Sequence, residues 1–515
     1  MAVPPAVATP TSLIATVSFY TTTPIYYVNA QPHLGHAYTT IAADVLARHH
    51  RQRGEDVFFL SGTDEHGEPV AQAAEALGIE PRALADRNSA RFAEMMPRIE
   101  ATNDFFIRTS DPRHVAAVQE FMQGLHDAGH IYKGEYEGLY CPRCADFKTP
   151  QEVGEGETCP VHGVALDREK EENWFFRLSA FQEPLERLFE ERPDFVRPKE
   201  RRNEALSFIK GGLQDISCSR AGLSWGVPVP WDPDQVFYVW FDALLNYLTA
   251  LQFAREGEDL TARYWPASVQ LVGKDILKFH AVYWPAMLMA AGLEVQRELV
   301  VHGYLLMDGE KMSKSLGNVL DPFEVIDRFG ADALRFYLLR EVQFGADGSV
   351  STAGFETRYS SELANDYGNL ASRTVAMVNR WRGGKVAAVA LDPEVAVDLE
   401  PMADEVSDLL DRVEPTQALE SIWTRVRRLN RYVEETAPWN LAKDEAESAR
   451  LDQVLATLVE GVRSVTVALH PFMPSATAKL LEAIGRPATD WDAARFNSSG
   501  PGGSVGELEP LFPKP

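Results

Sequence analysis

Long apolar runs are missing from this 515-residue chain: no stretch approaches the roughly 18 consecutive apolar residues that a membrane-crossing helix needs. The opening MAVPPAVATPTSLIATVS holds no Lys or Arg, so it lacks the basic start of a secretory signal, and residues 1–15 read as a flexible leader. Cysteine is scarce. Four in the whole chain are too few for a disulfide scaffold. Positive charge is in deficit as well, 50 Lys and Arg against 75 Asp and Glu, for a net charge of −25. Broad nucleic-acid binding draws most of its affinity from neutralising phosphates, so any RNA contact must come from local basic patches, while the acidity elsewhere suppresses non-specific binding. No internal repeat is present. These absences point to a cytoplasmic protein without a membrane partner.

What is there is ordinary in bulk, 45% apolar and 24% charged, and long enough for about three domains. Strand-like and helix-like segments alternate at first. ATVSFYTTT reads as a strand, AYTTIAADVLARHHRQRG as a helix ended by Gly54, and DVFFLSGTDEHG as a buried strand running into a polar loop. This is the rhythm of a parallel sheet with crossover helices, and the expected fold is α/β. The rhythm lapses where Gly, Cys, Pro and Glu dominate. It returns with FYVWFDALLNYLTALQ (helix), SVQLVGKD (strand and turn) and ILKFHAVYWPAMLMAAG (helix). From about Ser349 to Gly485 helical periodicity prevails and no strand is expected. The expected boundaries are 16–130 and 225–300 for the two halves of a Rossmann-like domain, 131–224 for a connective insertion and 301–350 for a connecting region. A helical domain spans 351–500 and a flexible tail 501–515.

His33-Leu34-Gly35-His36 follows the first strand and opens a helix. Free backbone N–H groups and the positive end of the helix dipole meet there, Gly35 lets a flat ring approach the backbone, and two imidazoles three residues apart can donate to phosphate oxygens. Alone, this pattern is also compatible with a first helical turn bearing two surface histidines. Far downstream, GEKMSKSLGN places Lys311 and Lys314 in a glycine-flanked loop, where two ammonium groups suit a departing pyrophosphate. At about 4 Å and an effective dielectric near 20, one such contact is worth about 4 kcal/mol.

The pair HLGH and KMSKS resembles the signatures of the class I aminoacyl-tRNA synthetases. A small-molecule nucleotidylyltransferase also carries H-x-G-H, but needs neither the lysine loop nor a helical domain. The segments TTPIYYVNAQPHLGHAYTT, GTDEHG, YVWFDALLNY, GKDILKFHAVYWPAM and VHGYLLMDGEKMSKSLGN are similar to the methionine-specific branch, and the likeness covers nearly the whole chain from Thr21 onward. It implies ATP, L-methionine and tRNA(Met) as substrates and Mg²⁺ accompanying ATP. His33, Gly35, His36, Gly273, Asp275, Lys311 and Lys314 would then serve the nucleotide. Pro24, Ile25, Tyr27, Trp240, Leu244, Tyr247, Ile276 and His280 would line the side-chain pocket, with Asp64 and the Ile25 backbone receiving the ammonium. An aromatic pocket suits a thioether. The segment between the sheet halves, about 90 residues, is too short for the large editing insertion of the Leu, Ile and Val enzymes.

Cys141, Cys144, Cys159 and His162 form C-x₂-C-x₁₄-C-x₂-H, a spacing that fits a closed tetrahedral structural Zn²⁺. In the resembling family the fourth ligand is often Cys; here it is His162. In the helical domain, NLASRTVAMVNRWRGGK and WTRVRRLNRY concentrate arginines, and Trp439 follows Pro438. The family uses the Asn-x-x-x-Arg pair and this Trp against the anticodon, which assigns that role to Asn369, Arg373 and Trp439. Without the added C-terminal domain through which some relatives dimerise, a monomer is expected.

Overall fold

The computed structural model describes residues 17–513 except 142, 144–145, 149–152, 155, 162, 308–309 and 312–321. Its first strand β1 (Ser18–Thr22) leads through β2 (Tyr26–Tyr27) to helix α1 (Leu34–Gln52) and strand β3 (Asp56–Asp64). Helices α2 (Glu68–Ala76) and α3 (Pro81–Arg98), strand β4 (Phe105–Arg108) and helix α4 (Pro112–Asp127) follow. Seven strands form one parallel sheet in the order β2, β3, β1, Val269–Gly273, Glu298–His302, Val196–Arg197, with β4 also paired to β3.

Alternation along the strands divides the interior. Phe19, Val57, Phe59, Val269 and Leu271 face α1 and the helical bundle, while Tyr20, Phe58, Leu60 and Val272 face the other side. The neighbours β1 and Val269–Gly273 sit at the centre, and chain connections leave them in opposite directions along the sheet. Ligands of such folds bind at this switch point, beyond the carboxyl ends of the strands.

Helix α1 ends at Gly54 (φ +76°), as its sequence implies. The long helices Pro415–Thr436 and Ser448–Leu469 dominate the C-terminal part. Arg335, fully buried, ion-pairs with Asp44 of α1 at 2.7 Å and donates to the carbonyls of Pro471, Phe472 and Ile99 at 2.7, 2.9 and 3.0 Å. Further along α1, Gln52 donates to the carbonyl of Thr489 and Arg53 pairs with Asp411. The C-terminal half of the first crossover helix is thus bolted to the bundle.

Four expectations need correction. FYVWFDALLNYLTALQ is not one helix but Val239–Ala243 and Asn246–Phe253, broken at Leu244–Leu245. ILKFHAVYWPAMLMAAG contains a π turn over Phe279–Tyr283 before Trp284–Ala290, because Pro285 cannot extend a regular hydrogen-bond ladder backwards. Strands do occur in the C-terminal part: Gly348–Val350 pairs with Leu305–Met307, and Lys385–Val386 with Gly503–Ser504. The expected flexible tail packs back, with Phe512 buried between Tyr359 and Tyr367 and Asn379 donating to the Gly506 carbonyl. The expected leader lies outside the described residues.

Candidate active site

One cavity of about 400 Å³ opens at the switch point. Its lining includes His33, Gly35, His36, Gly273 and Asp275, together with Pro24, Ile25, Tyr27, Asp64, Trp240, Leu244, Tyr247, Ile276 and His280.

The histidines are oriented by the backbone. Gly35 N–H donates to His33 Nδ1 at 3.1 Å and His33 N–H donates to His36 Nδ1 at 3.0 Å, a reciprocal cap on α1. A ring nitrogen that accepts from N–H carries no proton, so in the neutral rings the proton sits on Nε2, as a donor. The rings stack with centroids 3.7 Å apart. A Cβ at position 35 would come within 3.0 Å of the His33 ring, which is why glycine stands there. Across the cavity, a Cβ at position 273 would meet Asp275 Oδ1 at 2.7 Å, so Gly273 admits that carboxylate.

Around Trp240 and His280 the lining is aromatic. Trp240 stacks on Phe279 at 3.8 Å, and Tyr27 meets Trp240 edge to face at 6.2 Å. Burial lowers the His280 pKa to about 4. His280 Nδ1–H donates to the Ile276 carbonyl at 3.0 Å, and Tyr247 O–H donates to Nε2 at 2.8 Å. Asp64 is 2% exposed, and its Oδ1 has no hydrogen-bond partner. Burial, then the charges of Asp242 and Glu65, push its pKa well above the usual carboxylate range.

Behind Asp64 lies a network invisible in the sequence. Asp242 holds His66 Nδ1 on Oδ2 at 2.7 Å and His114 Nε2 on Oδ1 at 2.8 Å, and His114 Nδ1 reaches Thr249 Oγ1 at 2.7 Å. Burial alone would raise the Asp242 pKa, but the two imidazoles more than offset it and hold it at about 2. Glu65 takes a bidentate pair from Arg108 at 2.7 and 2.9 Å. The Asp64-Glu65-His66 corner is thereby fixed from three sides, and of these three residues only Asp64, which lines the cavity, keeps a buried side-chain oxygen without a hydrogen bond.

Sequence reasoning missed Asn29, Tyr38, Thr39, Asn246, His302 and Tyr304, which also line the cavity. His302 Nδ1–H donates to the Gly303 carbonyl at 2.8 Å, leaving Nε2 to accept from Thr39 Oγ1 at 2.7 Å. Thr39 lies three residues past His36 and four past Gly35 on α1, same-face spacings that could have marked it. Asn246 had no such signal.

Of the lysine loop, Lys311 is described only in its backbone, paired antiparallel with Leu306, and Lys314 lies outside the described residues. Cys144 and His162 do too. Cys141 and Cys159 are buried together with Leu166 in one small cluster and form no disulfide, a placement compatible with a shared metal. Among the described residues no group of three or more potential metal ligands assembles. In the helical part, Asn369 is exposed on helix Asn369–Arg382, and Arg373 lies 5.9 Å from the Trp439 ring, which is 37% exposed. Arg373 also pairs with Glu434 at 2.9 Å. No described helix is long and apolar enough to cross a membrane.

The family model for class I tRNA synthetases (M) matches residues 19–169 and 158–375, and that for the anticodon binding domain of methionyl tRNA ligase matches residues 386–506. A methionine–tRNA ligase of Streptomyces coelicolor is 44% identical over 530 residues, covering 98% of this chain and 98% of that protein. One from Caldanaerobacter subterraneus is 44% identical over 96% of this chain and 79% of its own length. The Mycobacterium tuberculosis methionyl-tRNA synthetase in complex with methionyl-adenylate superposes with a TM-score of 0.92 at 41% identity, covering 97% of this chain and 100% of that one. The apo form of the same enzyme gives 0.85 at 38%.

Proposed function

The chain belongs to the methionyl-tRNA synthetases of class I, and from that premise we propose how its residues share the work. It activates L-methionine with ATP to methionyl-adenylate and pyrophosphate, then transfers methionine to the 3′-terminal adenosine of tRNA(Met). The observation that carries the residue assignment is a single cavity joining two chemistries: imidazole donors at a helix start and, beyond them, an orphan carboxylate oxygen beside an aromatic slot.

The methionine ammonium pairs with Asp64 and the Ile25 carbonyl. The thioether lies among Tyr27, Trp240, Leu244, Tyr247, Ile276 and His280, with Pro24 at the edge. This orientation leaves the carboxylate free to attack the α-phosphorus in line, breaking the bond to pyrophosphate. His33 and His36 donate from Nε2 to the α- and β-phosphates, Gly35, Gly273 and Asp275 shape the adenosine side, and Lys311 and Lys314 stabilise the leaving group. No covalent enzyme intermediate is required; positioning and fixed donors carry the step. Mg²⁺ bound with ATP would screen the phosphate charge. The test is pyrophosphate exchange across the amino acids: methionine alone should support exchange at full rate.

Cys141, Cys144, Cys159 and His162 would hold Zn²⁺ as a structural brace of the insertion. Cys144→Ser should release zinc on metal analysis and lower exchange only several-fold, with the sheet domain still folded. Asn369, Arg373 and Trp439 would read the anticodon, since bases are read unstacked against aromatic faces and amide or guanidinium groups. Base stacking is worth about 1–3 kcal/mol. Trp439→Ala should therefore raise the KM for tRNA by roughly tenfold while pyrophosphate exchange without tRNA is unchanged.

A further inference from the structure

An ammonium group brings three N–H donors and no acceptor. The assignment above supplies two acceptor groups, Asp64 and the Ile25 carbonyl, and leaves room for a third. Among the side chains lining the cavity, two carboxylate or amide oxygens are sealed from solvent and unbonded: Asp64 Oδ1 and Asn246 Oδ1. The residues are 2% and 1% exposed. An orphan buried acceptor is costly, and a native fold keeps one where a ligand completes it.

The amide's orientation follows from its other atom. Asn246 Nδ2 donates to the Ala243 carbonyl at 2.6 Å, across the break between helices Val239–Ala243 and Asn246–Phe253, so the oxygen is the atom left over. Without that break, a continuous helix would turn position 246 to a different bearing. Tyr247 lines the same cavity as Asp64 and Asn246. A neutral acceptor also suits the place. With Asp64, Glu65 and Asp242 already close, another carboxylate would add repulsion, whereas an amide oxygen takes an N–H at no charge.

Resting on the reading of the cavity as a methionine site, we infer that Asn246 Oδ1 is the third acceptor for the substrate ammonium, so that the site demands a free primary α-amino group. The structure thus makes Asn246 a binding residue for the amino acid and not for ATP.

The test compares Asn246→Ala with Asn246→Asp. Both lose the bond from Nδ2 to Ala243; only the alanine variant loses the oxygen. The alanine variant should raise the KM for methionine in pyrophosphate exchange by about tenfold to a hundredfold, the range for a hydrogen bond to a charged group. The KM for ATP should stay unchanged, and so should inhibition by 4-(methylthio)butanoate, the substrate without its amino group. The aspartate variant keeps an oxygen at the cost of added carboxylate repulsion and should lose at least about threefold less methionine affinity than the alanine variant. Equal losses in both variants, or an equal loss for the deaminated inhibitor, would overturn the assignment in favour of a purely structural amide. Should the alanine variant not fold, an unchanged KM for methionine in Asn246→Leu, which fills a similar volume without an acceptor, would overturn it as well. Absence of methionine-dependent exchange in the wild type would instead defeat the functional reading itself.

Discussion

His36→Ala should lower methionine-dependent pyrophosphate exchange by about 10²–10³-fold, the usual cost of removing one preorganised donor from a developing charge. The loss should appear mainly in kcat, because the donor matters most when charge moves onto the phosphates. Two consequences need separating. His36 Nδ1 also accepts the His33 backbone N–H and completes the cap on α1, whose loss costs about 1 kcal/mol of stability. His36→Asn offers a side-chain oxygen to that N–H and should restore most of the stability without the rate. If asparagine restored the rate as well, the imidazole would be a cap and nothing more.

Asp64→Ala should lower kcat/KM for methionine by roughly 30- to 5,000-fold, corresponding to about 2–5 kcal/mol for truncating one partner of a buried charge pair. The same substitution should raise the thermal midpoint of the protein without methionine, since it deletes a buried carboxyl group with an orphan oxygen. Loss of function with gain of stability distinguishes a ligand site from a scaffold residue.

The pH dependence has a definite sign. Burial, then Asp242 and Glu65, hold the Asp64 pKa well above its unfolded value, so the folded chain binds that proton more tightly. The stability this contributes is present below the unfolded pKa and is lost as pH rises through the folded one. On the proposed assignment methionine would act in the opposite sense, because its ammonium would pair only with the ionised carboxylate. Thermal stabilisation by saturating methionine should therefore grow as pH rises through that window, and should be flat in Asp64→Ala. A flat response in the wild type would remove Asp64 from the ammonium site.

Much of this was legible in the residues. Strands β1 and β3 and helix α1 announce themselves by apolar periodicity and by Gly54. The cavity gathers the histidine pair and the pocket aromatics because HLGH and the stretches around Trp240 and His280 sit at chain reversals beyond strand ends. Pairings across great sequence distance were not legible. Nothing in the order of residues says that Asp242 lies between His66 and His114, 176 and 128 positions away. Local pattern also failed where tertiary packing overrides it. FYVWFDALLNYLTALQ reads as one helix, yet the chain breaks at Leu244–Leu245, and the 501–515 tail reads as flexible although Phe512 anchors it on Tyr359 and Tyr367.

Helix α1 carries the last consequence. Its 19 residues make a rod of about 28 Å with imidazoles at one tip and, from Asp44 onward, fastenings to the helical bundle. A stiff lever of that length moves its tip by about 0.5 Å for each degree of tilt. A tilt of the bundle that carried Asp44, Gln52 and Arg53 with it would therefore also shift the histidine pair at the far end of the rod.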